Sequence, residues 1–420
     1  MTATSNSTAT STLRQDAQVI TLVGVAHGVS HFFHLILAPL FAWLKPEFNL
    51  SYAELGLLMT VFFVVSGVGQ ATAGFVVDRV GARAVLFAGM SLLGVSALAL
   101  SVAQNYPMLL AGSMLAGLGN SVFHPADFTL LNKRVSHSRL GHAFSVHGIS
   151  GNLGWAAAPV FLAGIAGVAG WRVALAAAAA VPFVWLAVLF VFRDLLHTEH
   201  GHAGAAKKTG TETGTAHQES AALAFIRLPA VWMCFAFFFI TAMALAGIQS
   251  FSAAGLRDLY GMSLASATAG QTAYMLASAA GMVWGGFLAA KATRHDRTIA
   301  LAFASSGLFS VLIASALAPA WMAVLLMGAV GFGAGVAGPS RDLLIRAAAP
   351  KNATGRVYGV VYSGLDIGLA TGPLLFGALM DARHPALLFV LIGVFQILAI
   401  LTAVNVGSNT AKRAAATQAA

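Results

Sequence analysis

The sequence predicts an all-α polytopic membrane protein, with twelve transmembrane helices in two pseudo-symmetric six-helix bundles. Three observations predict it. Only 9% of the 420 residues are charged and 58% are hydrophobic, whereas a soluble domain carries roughly 25% charged residues. Apolar runs of about 20 residues, enough to cross a bilayer as helices, recur along the chain. Finally, the chain repeats itself: Gly117-Leu118-Gly119-Asn120-Ser121-Val122-Phe123-His124-Pro125 has a partner in Gly331-Phe332-Gly333-Ala334-Gly335-Val336-Ala337-Gly338-Pro339. The same offset, about half the chain, pairs Gly141 with Gly355, Gly154 with Gly368 and Pro159 with Pro373. An apolar chain of two like halves points to a transporter with its site between them.

Residues 1–17, rich in Ser, Thr and Ala, read as a disordered cytoplasmic tail without the basic start of a signal peptide. The N-terminal bundle, 18–193, holds apolar runs near 18–43, 53–77, 84–103, 107–131, 140–166 and 170–192. A polar stretch at 194–227 reads as a cytoplasmic linker. It carries His197, His200, His202 and His217, for which a solvated linker is the default and a regulatory metal site the alternative. The C-terminal bundle, 228–406, holds runs near 228–256, 264–290, 298–317, 320–346, 356–380 and 385–406, and 407–420 reads as a second cytoplasmic tail. Alternating, barrel-like segments are absent, and the Ala, Leu and Gly content suits packed helices.

Nineteen of the 23 Lys and Arg residues fall in segments on one side of these spans. Lys45, Arg172, Arg257 and Arg383 alone fall on the other. The positive-inside bias puts both termini and the linker in the cytoplasm of a bacterial-type inner membrane. The formal charge of +9 therefore reflects topology, and its scatter over short loops argues against nucleic-acid binding. The single cysteine, Cys234, excludes a disulfide framework and a cysteine metal cluster.

After the second run comes Gly74-Phe75-Val76-Val77-Asp78-Arg79-Val80-Gly81-Ala82-Arg83. This resembles the loop signature of the major facilitator superfamily, in the expected loop between spans two and three, and the resemblance covers about residues 18–406. It implies that Gly74, Asp78, Arg79, Gly81 and Arg83 latch the two halves on the cytoplasmic side in the outward-open state. Ala82 departs from the usual basic residue, and Ala290 stands where a second-half acid would be, so a single latch is expected. Within the superfamily, His31-Phe32, Phe123-His124-Pro125, Gly151-Asn152-Leu153-Gly154 and Pro159 look like the fosmidomycin-resistance branch, which implies proton-driven efflux of small polar compounds. That branch often has acids where this chain has His34. Ala158-Pro159 and Gly372-Pro373 look like the Gly-Pro element of antiporter members. With Pro125, these residues are expected to loosen their helices.

Ionisable groups at membrane depth are costly and usually face a cavity. His27, His31 and His34 fall within an arc of roughly 60° on the first span, at 100° per residue. They form one polar stripe able to carry protons or bind an anion. His124 and Asp127 lie one turn apart on the fourth span and can share a face. His147 and Asn152 lie on the fifth span, and the repeat matches Asn152 to Asp366 on the eleventh. His31, His34, His124, Asp127, His147, Asn152 and Asp366 are therefore the candidate substrate or proton groups. His27, Gln249 and Tyr274 are secondary candidates, while Gln70 and Gln271 are more simply helix–helix glue. Packing histidines and a neutral Asp366 without function are the competing readings.

No P-loop and no convergent nucleophile, base and oxyanion constellation is found. The chain is therefore expected to be neither an ATP-driven pump nor an enzyme. Neither metal nor organic cofactor is expected, with protons as the coupling ion. A monomer is expected to act by alternating access on a small molecule. The reading is proton-coupled export of small organic compounds, with proton-coupled uptake of an organic anion or metabolite as the alternative. A non-transporting sensor is the reading from another class.

Overall fold

A computed structural model describes residues 12–197, 229–292, 294–348 and 354–419. The first half holds α1 (Leu13–His34), a 3-10 turn (Ala38–Leu40), α2 (Phe41–Glu47), α3 (Tyr52–Val80), α4 (Ala82–Ser101), α5 (Tyr106–Asn120), α6 (Phe123–Arg134), α7 (Leu140–Ala169) and α8 (Trp171–Val191). The second holds α9 (Pro229–Tyr260), α10 (Leu264–Lys291), α11 (His295–Ala314), α12 (Ala320–Ala348), α13 (Thr354–Asp381) and α14 (Pro385–Ala419). Eleven segments among the described residues are long and apolar enough to cross a membrane. The twelfth crossing is α5 followed by α6, each too short to qualify alone.

Two expected spans are thus broken. A proline lies at each break, where it has no N–H to give the carbonyl four residues back and its ring crowds that carbonyl, although Pro339, the repeat partner of Pro125, lies inside an unbroken α12. Pro39 leaves Leu35, where α1 ends, and Pro125 leaves Ser121, where α5 ends. The tails also differ from expectation. A capping box, with Thr12 accepting from the Gln15 N–H and the Gln15 side chain reaching back, starts α1 at Leu13, inside the expected 1–17 tail. The Ala-rich end keeps α14 helical through Ala419, inside the expected 407–420 tail. Residues 198–228, most of the expected linker, lie outside the described residues.

The repeat is structural. In the first half α1 packs on α7, α3 on α5 and α4 on α8; in the second α9 packs on α13, α10 on α12 and α11 on α14. The repeated glycines sit at these crossings. A Cβ at Gly117 would strike the Phe62 carbonyl, and one at Gly331 would strike the Tyr274 carbonyl. A Cβ at Gly154 would strike the backbone of Gly28. Backbones this close gain dispersion contacts that lipid cannot supply.

The halves meet along α3–α13 and α7–α10, two pairs that the repeat interchanges. At the end carrying the α2–α3 and α13–α14 loops, the contact is tight. Asp381 accepts the first N–H groups of α3, with Oδ1 2.7 Å from Tyr52 N and Oδ2 2.8 Å from Ala53 N. Thr60 Oγ1 donates to the Ala370 carbonyl at 2.6 Å, and Gly56 lies against the carbonyl of Pro373. Phe251 packs on Phe41 and Tyr52. A cavity of about 120 Å³ at this seam is lined by Lys45, Tyr52, Arg257, Asp258 and Gln271, among others. At the opposite end, Asp78 and Arg79 are exposed.

Candidate functional site

The first-span histidines form the expected stripe. His27 and His31 ring centroids lie 4.3 Å apart, and His31 and His34 lie 4.6 Å apart. The stripe packs closely on α7 at Gly151: a Cβ there would stand 2.6 Å from His31 Nδ1 and 3.1 Å from His27 Nε2, so the histidine side chains would have to shift.

On α7, His147 follows Leu140 by two turns and points at α6. Its Nε2–H donates to Asp127 Oδ2 at 3.2 Å. His27 Nδ1 approaches the same carboxylate oxygen to 3.5 Å without hydrogen-bond geometry. The His27 and His147 rings stack at 3.5 Å. Asp127 is fully buried, His27 and His147 are buried, and His31 and His124 are half-buried. Asp127 Oδ1, His27 Nδ1 and His31 Nδ1 are buried without a hydrogen-bond partner. Leaving such groups unpaired costs roughly 1–3 kcal/mol each.

Around this centre, the Nδ1–H of His124 donates to Gln70 Oε1 at 2.8 Å, and His124 stacks on Phe128. The indole N–H of Trp155 donates to His34 Nδ1 at 3.3 Å while its ring stacks on His31. Asn120 donates to Ser66 Oγ at 2.8 Å. Five histidines and one aspartate from α1, α6 and α7 thus form one continuous polar body inside an apolar bundle.

Asn152 stands apart from that body. Its amide donates back to the Gly148 carbonyl at 3.1 Å and reaches Met282 Sδ of the other half at 4.0 Å. Asp366 comes from the other half to Gly67 on α3, where an added Cβ would lie 3.8 Å from its Oδ2. Gly67 precedes Gln70 by one turn, so Asp366 and His124 approach neighbouring turns of the same helix. Gln249 and Tyr274 are buried deep in the second half. Gln271 Nε2 donates to the Gln249 carbonyl at 2.7 Å, while the Gln249 amide itself has no partner. This places Gln249 near the tight end of the interface, where Gln271 lines the cavity.

Among the described residues, Gly74, Asp78, Arg79, Gly81 and Arg83 make no contact across the two halves. Gly74 has open space where a Cβ would be, rather than a close helix neighbour. Arg83 Nη1 donates to the Arg193 carbonyl at 3.1 Å, within its own half. Gly81, at φ 93°, makes the turn between α3 and α4 in a region that side-chain-bearing residues avoid. Pro159 is buried inside α7, Gly372 lies against Ala246, and Pro373 meets Gly56 across the halves.

Sequence reasoning missed Trp155 and Asp381. Trp155 had a signal, since it lies one helical turn beyond Gly151, on the face that carries the histidines. Asp381 had none, because its partners are 329 and 328 residues away.

The comparisons with known proteins agree with this architecture. The family model described as Major Facilitator Superfamily matches residues 23–291 and 239–418. The probable nitrate transporter NarT of Staphylococcus aureus strain JH9 is 26% identical over 159 residues, which cover 38% of this chain and 40% of that protein. The strain Newman protein matches to the same extent. The matched region thus spans well under half of these relatives' length. Among solved structures, a bacterial homolog to the human lysosomal transporter Spinster, in an inward-facing and occupied conformation, superposes with a TM-score of 0.70 at 15% identity, covering 95% of this chain and 97% of that one. Its inward-facing, unoccupied form gives 0.68. At this identity the likeness speaks to the fold.

Proposed function

The chain belongs to the Major Facilitator Superfamily, and we propose that this secondary transporter exports small organic compounds against a proton gradient by alternating access. The observation that carries the proposal is the buried His27–Asp127–His147 centre, with His31 and His124 at its half-buried edge. A folded bundle keeps such a costly group in its apolar interior for a use. In this reading Asp127 and its histidines hold a proton or the substrate by turns, and Asp366 supplies the matching group from the second half. Each group sees a different solvent when the halves rock, so its proton affinity changes with access and couples the two fluxes. Gly372-Pro373 and Pro159, which resemble antiporter elements, support the export direction.

The basic-residue bias assigns the tight end of the interface, with Asp381, to the outside and the Asp78 end to the cytoplasm. On that assignment the structure is the inward-facing state, and the latch at Gly74, Asp78, Arg79, Gly81 and Arg83 closes in the other half of the cycle. The test is transport in inverted vesicles with a panel of antibiotics and organic acids. An acid-inside gradient should drive substrate accumulation. Absence of accumulation for every compound overturns export.

A second reading, proton-coupled uptake of a small anion, is favoured by the resemblance of part of the chain to the probable nitrate transporter. It requires substrate-induced alkalinisation of the medium around right-side-out vesicles.

A further inference from the structure

The His27–Asp127–His147 centre brings together the donor set of a transition-metal site, and we propose that it binds one divalent ion of the zinc class. The three side chains each offer one ligand atom, all within 4.8 Å of one another. They come from three helices, α1, α6 and α7, so the site is built by tertiary packing rather than by chance spacing along one helix. Zinc bound at about 2.0–2.1 Å to imidazole nitrogen and carboxylate oxygen, in tetrahedral geometry, sets its ligands about 3.3–3.4 Å apart. The observed separations are 3.2 Å between His147 Nε2 and Asp127 Oδ2 and 3.5 Å between His27 Nδ1 and the same oxygen.

These two separations bracket the tetrahedral edge, and the His27 and His147 rings, stacked 3.5 Å apart and 19° from parallel, must rotate about their χ2 bonds to aim both nitrogens at one ion. The His27 contact in particular is not otherwise used, since it lacks hydrogen-bond geometry and leaves a buried Nδ1 without a hydrogen-bond partner. An ion between the three groups satisfies that nitrogen. Asp127 Oδ1, also buried and unpartnered, can then take a second, longer interaction with the ion. Two imidazoles and one carboxylate are a donor set that transition metals accept and that magnesium or calcium, which take oxygen ligands, do not. The fourth position falls to water. His31 and His124, which group with His27 as a second set of three nitrogens within the same limit, stand on the half-buried side as the entry path.

Bound there, the ion ties α1, α6 and α7 together and occupies the lone pairs that protons would take. The site makes the protein responsive to metal whatever its organic cargo, and it stands independently of the direction of transport.

The test uses the full-length, tag-free protein in detergent, stripped with chelator and titrated with Zn²⁺ alone by calorimetry. Binding of one ion per chain is expected, weakened in both Asp127→Asn and His147→Gln by more than the roughly 10–100-fold that loss of an outer partner costs. A variant with His197, His200, His202 and His217 all changed to Asn separates this centre from the linker, and it should bind as wild type does. Co²⁺ loaded into the wild-type protein, which needs no ligand variant to fold, should show the intense visible absorption of a tetrahedral site. Absence of binding to the wild type, binding that survives both ligand variants, binding lost with the linker histidines, or a weak octahedral Co²⁺ spectrum would each overturn the site.

Discussion

Replacing Asp381 should unseal the end of the molecule that it closes. Its carboxylate accepts two backbone N–H bonds, at 2.7 and 2.8 Å, from the first turn of α3 in the other half. Hydrogen bonds to a charged group contribute about 1.5–3 kcal/mol each when buried, and a carboxylate at a helix N-terminus adds about 0.3–1 kcal/mol. Asp381 is exposed, so water competes for both bonds and salt screens the charge. A net of about 1–2 kcal/mol, the range of a typical lost cap, is the appropriate figure. Because the contact joins the two halves, that energy belongs to one conformational state and not to overall folding. A loss of 1–2 kcal/mol corresponds to a shift of about 5–30-fold in the ratio of sealed to unsealed molecules.

The assay is pulsed electron–electron distance measurement between spin labels at Gln104→Cys and His384→Cys, two exposed positions on opposite halves at this end. The native Cys234 is buried and does not compete for label. Asp381→Ala should move population toward the longer distance by the stated factor, and Asp381→Asn, which keeps an acceptor oxygen but no charge, by less. Unchanged distance distributions in both variants would refute the clamp. A uniform fall in thermal stability without a population shift would assign the bonds to folding instead.

Three other outcomes follow from the same geometry. Gly151→Val places methyl groups where His31 and His27 lie; overpacking of this kind costs about 1–3 kcal/mol, so a lowered unfolding temperature in detergent is expected, and an unchanged one would contradict the packing. Trp155→Phe removes the bond to His34 Nδ1 and should cost about 0.5–1.5 kcal/mol of stability, while Trp155→Ala, which also loses the stacking on His31, should cost more; equal losses would mean that the stacking contributes nothing, and no loss in Trp155→Phe that the hydrogen bond contributes nothing. Asp78→Asn should slow the transport cycle while leaving substrate affinity as it is, because Asp78 is remote from the centre and exposed in this state; unchanged turnover would remove the latch.

The sequence carried the twelve crossings and the repeat because lipid solvent and helix–helix contact each impose a residue type. Apolar runs had to be long, and glycines such as Gly117 and Gly331 had to sit where another backbone passes. The polar stripe on the first helix was equally legible, since 27, 31 and 34 share a face whatever lies opposite. What lies opposite was not legible. The meeting of His147 with Asp127 depends on how α6 and α7 are rotated about their own axes, and the spacing of residues within either helix does not encode that rotation. The break at Pro125 makes the point concretely. It divides the fourth crossing just before His124 and Asp127, so the direction in which they point is set by α6 alone and not by extrapolation from α5. The loop signature was readable as residues but not as contacts, because its spacing does not specify which segment of the other half faces it.

Proton-coupled transport measured side by side in wild type and Asp127→Asn tests the central claim most directly. In inverted vesicles with an acid interior, the wild type should accumulate a compound of the panel and release protons as it does so, and the variant should do neither while remaining folded and inserted. If the variant transported that compound with the same proton yield, the buried centre on α1, α6 and α7 would not be the coupling site.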